Sequence, residues 1–289
     1  MPMIDKSGRF VIVYNGEIYN FLELKKKFNL VTKSNSDTEI LIELFSLLNV
    51  KCFDYLNGIF ALIIFDKINN KIYCARDRLG VKPLYYHNDG NNLYFCSEIK
   101  ALKKIINNLK INEEIIKFYL TTGYYDFSKS SIYKNIFQVK QGTYQEINVN
   151  DLLSREVKYW DLTSKSQIAK LENPNSFFLE SFSLQQRSDT PIGLNVSSGI
   201  DSNLMISYFD KINKGQKNIQ ANSFYYSDKE FDKSNEIKEM SEYYKWKIYL
   251  HEITSEDIMN NLENVLQAND EPIPGIPTVA KYLLIKRRL

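Results

Sequence analysis

The first half of the chain alternates short apolar runs with turn residues, which favours strands. Residues 9–16, RFVIVYNG, are β-branched and aromatic and end in Asn-Gly, a turn signal. The continuous apolar run Gly58–Asp66 is typical of a strand covered on both faces. Two further strand-like runs, residues 71–77 and 92–98, follow at hairpin spacing. The pattern predicts layered sheets flanked by helices.

One segment of this half has helical spacing instead. Within Asp37–Leu48 the apolar residues recur three and four positions apart, and Asp37 and Thr38 stand where caps are found. We therefore predict an amphipathic helix that begins with these two polar residues.

After residue 174 the pattern changes to regular alternation of strand and helix. Repeated units of this kind imply a parallel, doubly wound sheet, whose ligands bind beyond the carboxyl ends of the strands. The domain boundary falls in residues 151–174, which have no strong period, and we predict domains over residues 1–160 and 172–289. The predicted strands cover residues 191–197, 219–226 and 245–253, and the predicted helices cover residues 201–212, 231–244 and 255–267, the last with Ser255 as N-cap.

Composition narrows the class of protein. The chain has 289 residues, 44% of them hydrophobic and 25% charged, as in soluble globular proteins, and its net charge of +2 gives no footprint for nucleic acid or membrane binding. The N-terminal residues lack the apolar core of a signal peptide, and no stretch approaches the apolar length of a membrane span. A cytoplasmic location is the default expectation.

Neither the cysteines nor the histidines indicate a disulfide, metal or catalytic site. The three cysteines are odd in number and form no CxxC pair, which disfavours a disulfide framework or a zinc site, and Cys74 and Cys96 are expected to be buried thiols. The two histidines, His87 and His251, lie near no convincing nucleophile.

The stretch GLNVSSGIDSN, residues 193–203, carries the clearest candidate chemistry. It predicts a strand that turns into a helix N-terminus, where unpaired N–H groups and the helix dipole favour a phosphate. Gly199 can take a positive φ and would let a phosphate approach the backbone closely, and Asp201 could hold Mg²⁺ shared with the phosphates. The stretch is neither a Walker A loop nor a nucleophile elbow. A plain turn with Asp-Ser capping a helix remains the alternative.

Residues 197–202, SSGIDS, resemble the S-G-G-x-D-S pyrophosphate loop of the ATP pyrophosphatase superfamily, with Ser198 in place of the first glycine. Other segments, in chain order, resemble the glutamine-hydrolysing asparagine synthetases over nearly all 289 residues. The matching segments are VIVYNGEIYN from Val11, SDTE from Ser36, LNGIFALIIFD from Leu56, ARDRLGVKPLYY from Ala75, SEIKAL from Ser97, YWDL from Tyr159, SDTPIG from Ser188 and DEPIPGIPT from Asp270.

The resemblance implies a fold and a set of roles. The fold would be an N-terminal nucleophile glutaminase, an αββα sandwich, followed by the first half of a doubly wound ATP pyrophosphatase domain, α+β and then α/β. Asn15 and Gly16 would form the oxyanion hole, and Glu17 and Asp37 would hold the polar end of glutamine. The implied ATP-binding residues are Val196, Ser197, Ser198, Gly199, Asp201, Ser202 and Phe224, with Asp201 on Mg²⁺. Glutamine, ATP and aspartate would be the substrates, and the family suggests a homodimer.

The chain also departs from the family pattern. The family's cysteine nucleophile stands at the mature N-terminus, where this chain has Met1 and Pro2, and Cys52 is in the wrong place. The family's next ATP-site loop would follow Leu289. We therefore expect a fragment or split-gene product with little glutaminase or synthetase activity of its own.

Three interpretations stay open at this point. The chain is a partial asparagine synthetase, an amidotransferase for another carboxylate, such as one on a surface polysaccharide or secondary metabolite, or a non-catalytic module that binds glutamine or nucleotide. Arg76, Asp77 and Arg78 are similarly ambiguous. By themselves they would be a surface charge cluster, whereas the family resemblance has them fixing the sheet and its interdomain contacts.

Overall fold

The computed structural model describes residues 2–125, 127–163, 173–213 and 220–287. The chain divides into two compact units, Met1–Ala169 and Lys170–Leu289. The predicted start of the second domain at residue 172, and the first residue of the predicted strand 219–226, lie outside the described residues. Among the described helices, none is both long enough and apolar enough to cross a bilayer.

The first unit contains nine strands and four α-helices within the described residues. The strands are β1 (Met3–Ile4), β2 (Phe10–Ile18), β3 (Gly58–Asp66), β4 (Lys71–Arg76), β5 (Tyr85–Asn88), β6 (Leu93–Cys96), β7 (Phe137–Gln138), β8 (Thr143–Asn148) and β9 (Ser154–Lys158). The helices are α1 (Phe21–Lys27), α2 (Asp37–Leu48), α3 (Ile99–Lys103) and α4 (Glu113–Thr122), with a 3₁₀ helix at Asn49–Tyr55.

These elements stack in four layers. One antiparallel sheet has the strand order β1-β2-β3-β4-β8-β9, and a second has the order β6-β5-β7. Helices α1 and α2 cover one face of the first sheet through a core that includes Ile12, Leu44 and Phe60. The two sheets meet through Cys74, Val139 and their neighbours, and α3 packs on the outer side of the second sheet. This arrangement is the αββα sandwich that the sequence predicted.

Strand β2 runs straight through the Asn-Gly pair, so the predicted turn signal at residues 15–16 was wrong. Asn15 pairs with Ala61 and Gly16 with Phe60 in the middle of the β2–β3 ladder. Gly16 has φ +154°, and a Cβ at this position would lie 2.1 Å from the Ile59 carbonyl oxygen. The glycine is required here by the close approach of β3 rather than by a turn.

The predicted helix Asp37–Leu48 is confirmed to the residue. Its start differs in detail, because Ser36 is the N-cap and neither it nor Asp37 makes the expected side-chain cap. The Asp37 carboxylate instead reaches away from the helix to β2, as described below.

The second unit contains three parallel strands and five helices within the described residues. They are α5 (Pro174–Gln185), β10 (Gly193–Asn195), α6 (Ile200–Ile212), β11 (Gln220–Tyr226), α7 (Ser234–Tyr244), β12 (Ile248–Ile253), α8 (Ser255–Asn269) and α9 (Ile276–Lys286). The strand order is β10-β11-β12, and all pairs are parallel. One hydrophobic cluster joins the sheet to α6 and α7, and another joins it to α8 and α9. The predicted N-cap of α8 was one residue late, because Thr254 forms a capping box with Asp257.

Two of the three cysteines are buried. Cys52 and Cys74 are fully buried, and burial raises the pKa of both thiols, that of Cys74 to about 12. Cys96, also expected to be buried, is only partly so.

An ion pair between partly exposed Arg9 and buried Asp66 closes the end of the first sheet. The Arg9 guanidinium binds the fully buried Asp66 carboxylate with two hydrogen bonds, Nε to Oδ1 at 2.9 Å and Nη2 to Oδ2 at 2.7 Å. Asn69 donates to the same carboxylate from its side chain at 2.8 Å and from its backbone at 3.3 Å. The Arg9 bonds and these further donors lower the pKa of Asp66 from 3.8 to about 2.

We predict that Asp66→Asn lowers the free energy of unfolding at pH 7 by about 2 kcal/mol, because it removes the charge that Arg9 binds. A lowered carboxyl pKa contributes stability above its unfolded value, and that stability disappears as pH falls through the folded value. The difference between the variant and the wild type should therefore shrink between pH 4 and pH 2. Urea denaturation across this range measures it, with Asp54→Asn as a control at an exposed carboxylate. A difference that is independent of pH would contradict the assignment.

Candidate functional site

The N–H of Gly16 points out of an open sheet edge. In β2 the even-numbered residues face away from β3, since Phe10 exchanges bonds with Asp5 on that side and the Ile18 N–H reaches Asp37. Strand β1 pairs only with Val11 and Ile12 among the described residues. The Gly16 N–H therefore projects beyond the end of β1, where an incoming oxygen atom could accept it.

The Asn15 amide lies beside this edge. The side chain is exposed, and its Nδ2 donates to Ser97 Oγ at 3.2 Å. Ser97 is the first residue of the SEIKAL segment, 82 positions away in the chain. A side-chain amide held near a free backbone N–H is the donor pair that an oxyanion hole needs.

Asp37 is held against β2 from the helix side. Its Oδ2 accepts the Tyr14 hydroxyl at 2.9 Å and the Ile18 N–H at 3.1 Å. Burial, followed by the neighbouring carboxylate of Asp37, raises the pKa of Tyr14, so its phenol remains a donor. Asp37 thus lies at the same strand end as Gly16. Side chains alternate between the two faces of a strand, so those of Asn15 and Glu17 lie on one face of β2 and that of Tyr14 lies on the other.

Glu39 builds the loop that leads to Asp37, a role the sequence interpretation missed. Its Oε1 accepts the Lys33 N–H at 2.7 Å, and its Oε2 accepts the Ser34 N–H at 2.8 Å. Burial acts to raise the pKa of Glu39, but a bond from the Ser34 hydroxyl and these two backbone bonds outweigh it and lower the pKa. The sequence did contain a signal for this role, because Glu39 is the last residue of the SDTE segment.

The cluster at residues 76–78 is not a set of solvated surface charges. Asp77 is buried, and its carboxylate accepts backbone N–H groups from both β3 and the following loop, those of Phe60, Leu79, Val81 and Lys82. Arg76 donates to the carbonyl oxygens of Gly80, Lys82 and Val139 and to the Gln138 side chain. The two side chains therefore fold the loop after β4 and tie it to β3.

In the second unit, the stretch at residues 197–202 forms a loop closed by its own hydroxyls. Ser202 Oγ accepts the Ser197 N–H at 2.9 Å and lies 2.9 Å from Ser197 Oγ. The Asn203 side chain donates to the carbonyl oxygens of Ser198 and Gly199. Gly199 is the N-cap of α6 with φ −69°, so it does not use the positive φ that glycine can take. No side-chain cap covers the first N–H groups of α6, and Asp201 is exposed in its first turn.

Val196 and Phe224 lie on opposite faces of the parallel sheet. Val196 is buried in the cluster with α6 and α7, and Ser223 Oγ donates to its carbonyl oxygen at 2.7 Å. Phe224 packs in the cluster with α8 and α9, edge to face with Tyr226. Tyr226, two residues further on the same strand, lines a cavity of about 370 Å³. This cavity, at the carboxyl ends of β11 and β12, is also lined by Ser227, Asp228, Phe231, Ile253, Ser255, Ile258, Ile276 and Pro277.

Few of the described side chains lie together in a way that could bind a metal ion. The described residues contain no group of three or more His, Cys, Asp or Glu side chains that could hold one. Asp201 alone at the loop would need oxygen ligands from a bound phosphate to complete a Mg²⁺ site.

Comparisons with known proteins agree with this two-part organisation. Residues 1–160 match the family described as glutamine amidotransferase domain, and residues 175–288 match the family described as asparagine synthase. The putative asparagine synthetase (glutamine-hydrolyzing) 2 of Methanocaldococcus jannaschii is 34% identical over 281 residues, which cover 93% of this chain and 53% of that protein. The asparagine synthetase (glutamine-hydrolyzing) 3 of Bacillus subtilis is 28% identical over 302 residues, with coverage of 96% and 48%.

Among solved structures, a glutamine phosphoribosylpyrophosphate amidotransferase from B. subtilis aligns with a TM-score of 0.39 and 16% identity, over 74% of this chain and 46% of that one. This chain spans about half the length of the two curated relatives it matches. The two family matches follow one another in the order of the two compact units and account for almost all residues. The chain therefore belongs to the family of glutamine-hydrolysing asparagine synthetases.

Proposed function

We propose that this chain supplies the glutamine-recognition and ATP-recognition elements of an amidotransferase that converts a carboxylate, aspartate by analogy with the relatives' names, into its amide. The observation that carries the proposal is the open edge of β2, where the Gly16 N–H is available with the Asp37 carboxylate at the same strand end and the exposed Asn15 amide on the neighbouring residue. Its ATP half, a doubly wound domain of the ATP pyrophosphatase kind, is supported by the parallel sheet with helices on both faces.

In the glutamine half, each group has one task. The Gly16 N–H and Asn15 Nδ2 would donate to the carboxamide oxygen as negative charge develops on it during attack by a nucleophile. Asp37 would bind the α-ammonium of glutamine by charge-assisted hydrogen bonds, and Glu17, on the other face of β2, would add negative charge at the same strand end. A thiolate that this chain does not supply at this edge would attack the carboxamide carbon and expel ammonia, and that ammonia would be the nitrogen source for amide formation.

In the ATP half, the first turn of α6 would receive the phosphates. Its uncapped N–H groups and the helix dipole favour an anion, and Ser197, Ser198 and Ser202 would offer hydroxyls at the loop. Ser198 needs no left-handed backbone, since it is absent from the positive-φ residues of the described chain. Bound Mg²⁺ would neutralise phosphate charge, and Asp201 is the carboxylate that would hold it together with phosphate oxygens.

For glutamine, we predict that Asp37→Asn weakens ground-state binding by about tenfold or more, whereas Asn15→Ala changes it less than about threefold. The ammonium needs its carboxylate before any chemistry, but an oxyanion hole acts mainly on charge that develops later. Chemical-shift titration with glutamine measures both dissociation constants. Equal losses in the two variants, or no binding by the wild type, would contradict the glutamine half.

For ATP, we predict that Asp201→Asn weakens binding when Mg²⁺ is present and leaves it equal or tighter in EDTA. The carboxylate attracts the metal but repels bare phosphate. Isothermal titration in the two buffers measures this reversal, with Glu239→Gln on the exposed face of α7 as the control. A loss of the same size in both buffers would assign Asp201 to helix structure and contradict the metal role.

A further inference from the structure

We propose that Tyr14 is a positioning residue, whose hydroxyl fixes the Asp37 carboxylate in the orientation that receives the α-ammonium of glutamine. The inference deepens the proposed function and rests on its glutamine half. It assigns a specificity role to a side chain that does not itself contact the reacting atoms.

The two carboxylate oxygens of Asp37 make different hydrogen bonds. Oδ2 accepts both the Tyr14 hydroxyl and the Ile18 N–H, at 2.9 and 3.1 Å. Among the described residues, Oδ1 accepts only a long bond of 3.3 Å, from its neighbour Thr38 Oγ1. Oδ1 is therefore the oxygen left to accept a charged donor, and two bonds on Oδ2 set the plane in which it lies.

Without the Tyr14 hydroxyl, the Asp37 carboxylate would have alternative hydrogen-bond donors in its own helix. Asp37 is the first residue of α2, and a carboxylate there is attracted to the free N–H groups and positive dipole of its own helix. The helix instead lacks a side-chain cap, and the carboxylate is turned to β2. The Tyr14 hydroxyl supplies one of the two bonds that hold it there.

Tyr14 is well placed to act as a fixed donor. Its ring packs against the core between the first sheet and α2. Burial raises the pKa of its phenol most, and the negative charges of Asp37 and Glu17 raise it further. Burial and this negative surrounding keep the phenol protonated, so the hydroxyl donates rather than accepts.

The test compares glutamine with glutaramate, which has the same carboxamide and carboxylate but no α-amine. Chemical-shift titration of the full chain with each compound gives the two dissociation constants. We expect Tyr14→Phe to weaken glutamine binding about 3- to 10-fold, the range for one lost hydrogen bond, and to change glutaramate binding less than about twofold. Tyr144→Phe is the matched control, because its ring packs against the same core and its hydroxyl is not bonded to Asp37. It should change neither constant.

A second variant keeps the test decisive if Tyr14→Phe is poorly folded. Asp37→Asn should lose glutamine selectively in the same way, and adding Tyr14→Phe to it should cause no further loss, since the two act through one carboxylate. An equal loss of both compounds in Tyr14→Phe, unchanged glutamine binding, or additive losses in the double variant would overturn the positioning role. Absence of glutamine binding in the wild type would instead refute the glutamine half of the proposed function, and the positioning role with it.

Discussion

The close approach of β2 and β3 at two glycines is the constraint on which the candidate glutamine site depends. A Cβ at Gly16 would lie 2.1 Å from the Ile59 carbonyl oxygen, and a Cβ at Gly58 would lie 2.1 Å from the Glu17 carbonyl oxygen. Any side chain at either position would push the two strands apart, because backbone atoms cannot yield as a flexible side chain can. The pairing fixes which N–H groups face β3 and which face the open edge.

Elsewhere in the first unit, carboxylate side chains fix the conformation of two loops and of one strand end. Asp77 folds the loop after β4, Glu39 folds the loop before α2, and Asp66 closes the end of β3 with Arg9. Asp77 and Asp66 are buried and gather donors that would otherwise be unpaired near the core, so each would be costly to remove without replacing those bonds, whereas the donors bound by Glu39 are exposed. Several charged residues of the sequence motifs are therefore part of the scaffold that holds the candidate site.

The sequence was informative where one local pattern decides the structure. Helix α2 and strand β3 were predicted to the residue, because apolar periodicity and bounding polar residues specify both. The Asn-Gly pair was misread because its local preference for a turn was overridden by pairing with β3. Tyr14 and Asp37, which share a hydrogen bond, are 23 positions apart in the chain. No sequence pattern indicates that residues at this separation are in contact. Likewise, the opposite faces of Val196 and Phe224 follow from the register of β10 and β11, which the sequence does not specify.

Amide hydrogen exchange at residues 15–17 tests the central claim most directly, since it reports which N–H groups are paired. If β2 runs through the Asn-Gly pair with its far edge open, the amides of Asn15 and Glu17 exchange slowly, and that of Gly16 exchanges quickly. Rapid exchange at all three would indicate a turn, and slow exchange at Gly16 would mean that its N–H is not available to a ligand. Either result would contradict the account.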